Sequence, residues 1–192
     1  MKPTKVHTLA AVAMNAAIIA ILSQIALPSP TGVPFTLQTF AVALTGYLLL
    51  PKLSFYTVLL YLLIGAAGMP VFANLRGGLP HLVGLTGGFL WGYLIYAPLC
   101  SLGLQKRSQK HKGTRPEIKN TLTAIICGIT GLLICHALGV LQYALLTAGS
   151  FKTALLLVSL PYLPKDMICV AAAYMVAKKV RKRAMRFICI TL

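Results

Sequence analysis

The chain has 192 residues, of which 58% are hydrophobic and only 10% charged, with a mean hydropathy of +0.82. Soluble domains carry about 25% charged residues, so the balance excludes a soluble globular protein and indicates one integral membrane domain over 1–192. The net charge of +16 does not mark a nucleic-acid binder, because the basic residues gather in short segments beside apolar runs, as topology signals do.

A run of about 20 apolar residues crosses a bilayer as a helix. The basic segment 1–7 has no small-x-small cleavage site and leads into further spans, so it reads as the start of a retained first helix. That first run covers 9–27 and ends at Pro28 and Pro30. Small residues recur along it every four positions, Ala13 with Ala17 and Ala16 with Ala20. This spacing is either a face for close approach of another helix or plain helix filler. Three prolines and Gly32 make 28–35 a loop. A short second run, 36–50, carries Gln38 near its start. Pro51 and Lys52 form a turn, and the third run covers 53–67.

The stretch 68–93 differs from everything around it. It places Gly68, Gly77, Gly78, Gly84, Gly87, Gly88 and Gly92 among two prolines, Asn74, Arg76, His81 and Thr86. Glycine allows close backbone approach and leaves N–H and C=O groups unobstructed. In lipid such irregular backbone survives only where protein buries it or where it lines a cavity, so this stretch is expected to lid and line a small-molecule site. The fourth run extends from Gly84 or Gly87 to about 104, and a polar basic connector, 105–120, precedes the fifth run, 121–146. The last span is interrupted by Pro161 and Pro164, continues over 166–177, and ends in a basic tail from about 178.

The fold expected is therefore an all-α integral membrane protein of six transmembrane helices with irregular Gly/Pro-rich outer loops. Six spans put both termini on one side, together with Lys52, the 105–120 connector and the tail. That side holds 15 of the 18 basic residues, which makes it cytoplasmic. The other side holds only Arg76, Lys152 and Lys165. All the irregular segments lie outside, so the site is expected to open outward.

Asp166 is the single acid outside the basic connector, the other being Glu117. It is either a helix-start charge favoured by the dipole or a hydrogen-bond acceptor for a ligand. Gln38 and Asn74 have amides suited to an amide- or urea-like ligand, although Gln38 could instead pair with a neighbouring helix and Asn74 could shape a turn. Thr86 reads first as a helix cap, His136 as a helix–helix hydrogen bond and His81 as a solvated loop residue. The cysteines (Cys100, Cys127, Cys135, Cys169, Cys189) form no Cys-x-x-Cys pair and read as small apolar side chains. No phosphate-binding loop, zinc-protease motif or nucleophile elbow occurs, nor a series of membrane acids for proton relay. The chain is thus read as a non-enzymatic binder that relies on another subunit for energy. A membrane enzyme using Asp166 with a histidine lacks a nucleophile.

Several runs together, V-P-F-T-L-Q-T-F at 33–40, G-M-P-V-F-A at 68–73, Gly77-Gly78, L-V-G-L-T-G-G-F-L-W-G-Y at 82–93 and L-P-Y-L-P-K-D at 160–166, resemble the biotin-binding S components, BioY type, of energy-coupling-factor vitamin transporters. The resemblance implies a six-helix subunit of the bacterial cell (inner) membrane that captures biotin from outside. Its implied partners are a transmembrane coupling protein and ATP-binding-cassette ATPases, which consume the ATP; no cofactor belongs to this chain. The implied binding set is Asp166, Asn74, Gln38, Gly77, Gly78, Thr86, Gly87 and Gly88. Ala13 and Ala17 match the family's alanine face for the coupling protein. Solitary, ATP-independent transport and an S component for another vitamin are the alternatives. Two departures stand out. Leu85 replaces a family proline, and Cys169 occupies the place of a lysine that the family sets three residues after the acid. Lys165 adjoins Asp166 but lies about 100° around an ideal helix, so it is not expected to be a simple substitute.

Overall fold

The computed structural model describes residues 5–29, 32–105 and 117–188. The start of the chain, Pro30, Thr31, the central part of the basic connector (106–116) and the tail end with Cys189 lie outside the described residues.

Helix α1 (Lys5–Ser23) stops short of the expected end of the first run. Beyond it the chain extends into strand β1 (Ala26–Leu27), which pairs antiparallel with β2 (Phe35–Thr36). The expected loop is therefore the tip of a small β-ribbon, with its prolines outside the paired residues, since proline cannot donate to a ladder. Helix α2 (Gln38–Leu48) has 11 residues, about 16 Å at 1.5 Å per residue, against a hydrocarbon core of about 30 Å. It is buried among α1, α5 (Gly87–Gln105) and α8 (Leu163–Ile188). Helix α3 (Pro51–Ala66) starts on a proline, where a missing N–H costs nothing.

The stretch after α3 holds a 3-10 turn (Ala73–Leu75) and the short helix α4 (Leu79–Val83). It is tied down at several points. Ser23 Oγ donates to the Val71 carbonyl at 2.6 Å, the Leu75 N–H donates to Gln24 Oε1 at 2.9 Å, and the Gly78 N–H donates to the Gly65 carbonyl at 2.7 Å. Gly78 has φ +95°, a backbone state that favours glycine.

Helix α5 packs along α6 (Glu117–Thr147) through a seam of small residues. A Cβ at Gly88 would lie 2.8 Å from the Cα of Gly139, one at Gly92 2.7 Å from the Cα of Cys135, and one at Gly103 2.8 Å from the Cα of Ala124. Absent side chains let the two backbones touch over their length, the usual way membrane helices associate. Helix α7 (Phe151–Val158) meets α8 at a bend of 54°, so the expected proline interruption is a change of direction between two helices.

The interior has an apolar core, but the surface departs from that of a soluble domain. Leu9, Ile21, Leu63, Leu122, Leu133, Leu145 and Ile168 are exposed, whereas Asn15, Gln38, Thr39, His136, Ser159 and Asp166 are buried. Apolar surface outside and polar groups gathered inside suit a lipid environment. Helices α1 and α6 are each long and apolar enough to cross a membrane, and the bent α7–α8 pair makes a third candidate span. The described cysteines are free; Cys100, Cys135 and Cys169 are buried.

Candidate functional site

One cleft collects polar groups from the β-ribbon, the stretch after α3 and helices α2, α5, α6 and α8. Its walls come from the β-ribbon and the start of α2 (Val33, Pro34, Thr36, Gln38, Thr39), the irregular stretch (Phe72, Ala73, Asn74, Arg76, His81) and α5 with its approach (Thr86, Phe89, Leu90, Tyr93). Its floor comes from α6 (Leu132, Cys135, His136) and from the bend and first turn of α8 (Tyr162, Lys165, Asp166). The cavity is small, ≈ 70 Å³, and opens at its mouth.

The floor is an ionic cluster. Asp166 is 4% exposed; its Oδ2 lies 3.2 Å from His136 Nε2, and its Oδ1 lies 2.6 Å from Lys165 Nζ. With the proton of His136 on Nε2, the imidazole donates to Oδ2 and accepts from the Ser159 hydroxyl at Nδ1, 3.0 Å away. This bond joins α6 to the bend before α8. The Lys165 ammonium also donates to the Thr36 carbonyl at 2.7 Å, joining α8 to the ribbon. Asp166 Oδ1 is close to that ammonium as an ion pair but accepts no aligned hydrogen bond. That oxygen is buried, and the Lys165 ammonium beside it compensates its charge.

The walls are aromatic and fixed. Tyr162 stacks on Phe35 with ring centroids 4.0 Å apart, and its hydroxyl donates to the Val33 carbonyl. Phe89 stands edge-on to His136 at 5.6 Å. Gln38 Nε2 donates to the Tyr61 hydroxyl at 2.8 Å, which donates to the Val71 carbonyl at 3.1 Å. Gln38 is thus both a cleft wall and a brace for the lid. At the mouth, Asn74 has φ 59°, a left-handed conformation that asparagine tolerates. Leu75, in the same region at φ 56°, is held by its bond to Gln24. His81 is half-buried and packs edge-on to Phe72. Partial burial, assisted by the Arg76 guanidinium, holds its imidazole below the ordinary range.

Of the residues singled out from sequence, Asp166, Gln38, Asn74 and Thr86 share this cleft. Gly77, Gly78, Gly87 and Gly88 are not among its lining residues. A Cβ at Gly77 would press on the Gly68 carbonyl oxygen at 2.9 Å, one at Gly87 would meet the Leu82 backbone and Gln142 Nε2 at 2.5 Å, and Gly88 sits on the α6 seam. These glycines shape the walls through backbone packing. Gln142 Nε2 donates to the Gly84 carbonyl at 2.7 Å and Trp91 Nε1 to the Leu82 carbonyl at 3.1 Å, which anchors the approach to α5. Ala13 and Ala17 lie exposed on the outer face of α1, whereas Ala16 is buried in the core.

One expectation is extended and one corrected. His81 lines the cleft while keeping partial solvent exposure. Lys165 reaches Asp166 and the cleft, because its flexible four-carbon stem is not confined to the direction of its Cα–Cβ bond. His136 makes the expected interhelical bonds and also lines the cleft. Its place on the cleft carries no local sequence signal, since its partners lie 23 and 30 positions away.

A lipid-facing helical bundle that encloses an aromatic cleft floored by an acid and a lysine defines a membrane-embedded binder of a small polar molecule. The BioY family model matches residues 1–186, and the chain belongs to that family. Biotin transporter BioY2 of Lactococcus lactis subsp. cremoris (strain MG1363) is 38% identical over 168 residues, covering 88% of this chain and 86% of the relative. Biotin transporter BioY of Thermotoga maritima (strain ATCC 43589 / DSM 3109 / JCM 10099 / NBRC 100826 / MSB8) is 34% identical, covering 78% and 82%. The fold matches a crystal structure of the S-component for biotin from an ECF-type ABC transporter with a TM-score of 0.79, at 24% identity, over 93% of this chain and 92% of that one.

Proposed function

We propose that this chain is a biotin-binding S subunit of an energy-coupling-factor transporter. It captures biotin at the outer face of a bacterial cell (inner) membrane and assigns ATP hydrolysis to partner ATPases. The observation that carries this reading is the His136–Asp166–Lys165 cluster on the floor of an aromatic cleft. Biotin has a fused, largely apolar bicycle whose ureido edge offers N–H donors beside a carbonyl acceptor. The Asp166 carboxylate is the acceptor for such an N–H, the Lys165 ammonium a donor for the carbonyl, and Phe89, Tyr93 and Tyr162 are walls for the rings. Relatives named as biotin transporters support the choice of ligand.

The topology proposed with it counts α1, α2, α3, α5, α6 and the α7–α8 pair as six spans, with both termini cytoplasmic. The basic connector and tail supply the positive side, and the cleft then opens outward beside Arg76 and Lys165. Ala13 and Ala17, exposed on α1, form the face for the coupling protein. The chain performs no chemical step of its own. Isothermal titration of the detergent-purified chain with biotin tests the assignment: saturable 1:1 binding is expected, and its absence refutes it.

A further inference from the structure

We infer that the cytoplasmic end of α8 is a docking surface for acidic phospholipid headgroups, which fasten this helix to the inner leaflet. The inference shares with the functional reading only the placement of the tail at the cytoplasmic face; it does not depend on which molecule fills the cleft.

The helix is longer than the bundle it belongs to. Helix α8 runs unbroken for 26 residues, about 39 Å, against a hydrocarbon core of about 30 Å and about 40–45 Å with the headgroup layers included. Its buried positions Asp166, Val170, Ala173 and Ala177 recur at spacings of four and three and face the bundle. That row ends at Ala177, after which Lys178, Lys179 and Val180 are exposed. Position 178 lies about 22 Å from the start of the helix and position 186 about 35 Å. The segment between them therefore straddles the inner edge of the hydrocarbon and ends among the headgroups.

Every charge in that segment has one sign. Lys178, Lys179, Arg181, Lys182, Arg183 and Arg186 fill six of its nine positions, and no acid follows Asp166 in the chain. At 100° per residue these six positions cover about 200° of the helix circumference. A partner helix is met along a narrow stripe of apolar positions, whereas a basic arc wider than half the helix fits a surrounding layer of phosphodiester groups. Lysine and arginine suit this depth, since their stems lie along acyl chains while the charged heads reach the phosphates. Orientation alone does not call for so many: it needs an excess of basic residues on this side, and the 105–120 connector already supplies Lys106, Arg107, Lys110, Lys112, Arg115 and Lys119. Clusters of about four to eight basic residues directly after a spanning helix bind acidic lipid, each residue being worth roughly a fivefold gain in association.

The test compares the detergent-purified full-length parent with two variants that each lose three positive charges. One is Lys182→Gln/Arg183→Gln/Arg186→Gln in the tail, the other Lys106→Gln/Arg107→Gln/Lys110→Gln in the connector. In detergent, orientation across a membrane plays no part. Each protein is mixed with phosphatidylglycerol, with phosphatidylcholine of the same acyl chains, or with inorganic phosphate. Native mass spectrometry counts the lipid retained per chain, and thermal denaturation reads stabilisation. The parent is expected to retain phosphatidylglycerol roughly tenfold better than phosphatidylcholine or more, with a preference that weakens as salt rises, and to gain nothing from inorganic phosphate. The tail variant is expected to lose that preference, while the connector variant stays within about threefold of the parent and all three bind biotin alike. A parent-like preference in the tail variant, an equal loss in both variants, or equal stabilisation by inorganic phosphate overturns the inference. So does a tail variant that keeps its lipid but no longer co-purifies with the coupling protein, since the surface then belongs to a protein partner. If the parent fails to bind biotin, the functional reading fails while the lipid comparison stands.

Discussion

Replacing Asp166 by asparagine exchanges one oxygen for an NH2 group and strikes the centre of the site. The carboxylate receives Lys165 at 2.6 Å on one oxygen and His136 at 3.2 Å on the other, in a residue 4% exposed. An asparagine side chain has one acceptor and one donor head, so whichever partner keeps the oxygen, the other donor faces an NH2 group. Removing one member of a fully buried ion pair costs about 3–5 kcal/mol. Lys165, being 30% exposed, can rehydrate, which lowers the cost to folding to about 1–3 kcal/mol, that of one unsatisfied buried group. Ligand binding loses in addition a charged acceptor for an N–H, about 1.5–3 kcal/mol, or roughly 10- to 150-fold in Kd. Isothermal titration with biotin reads the second quantity, and thermal denaturation of the unliganded variant in the same detergent reads the first. An Asp166→Asn protein whose Kd stays within about threefold of the parent, a change under 1 kcal/mol, would refute the role given to this carboxylate.

Gly88→Ala pushes a methyl group into the α6 backbone beside Gly139; overpacking of about 1–3 kcal/mol should lower the thermal midpoint, while protein that remains folded keeps its affinity for ligand. Ala13→Leu with Ala17→Leu adds bulk on an exposed face, so biotin binding should be unchanged while co-purification with the coupling protein is lost. His81 should give a mild acid sensitivity. Its folded pKa is depressed below 6.5 by burial and by Arg76, so on acidification the unfolded chain takes up the proton first. Stability is full above pH 6.5 and falls until the folded imidazole titrates. A His81→Gln variant should flatten that part of a pH–stability profile measured by thermal denaturation.

Much of the site was legible because membrane insertion makes polar residues rare. With two acids in the chain, Asp166 stood out at once, and proline and glycine punctuation located both the lid stretch and the bend before α8. Gln38, Asn74 and Thr86 were found as polar groups beside that punctuation. The glycines were harder to interpret. Composition alone does not separate a glycine that meets a ligand from one that meets a helix, and Gly87 and Gly88 meet the Leu82 backbone and α6. The β-ribbon was hidden because two paired residues per strand leave no alternating pattern. Lys165 was misjudged for a geometric reason: an ideal helical wheel compares directions at equal depth, whereas a long flexible side chain swings toward its charge partner. His81 and His136 owe their positions to tertiary contacts, with Phe72 in one case and with Ser159 and Asp166 in the other.

The central claim, that the cleft floored by Asp166 and Lys165 is a biotin site, is tested most directly by calorimetric titration of the purified full chain with biotin, set beside titrations with other water-soluble vitamins. Saturable heat at one biotin per chain, accompanied by thermal stabilisation, is the expected result, with no comparable signal from the other vitamins. Absence of heat and stabilisation with biotin, together with saturable binding of a different vitamin, would contradict it.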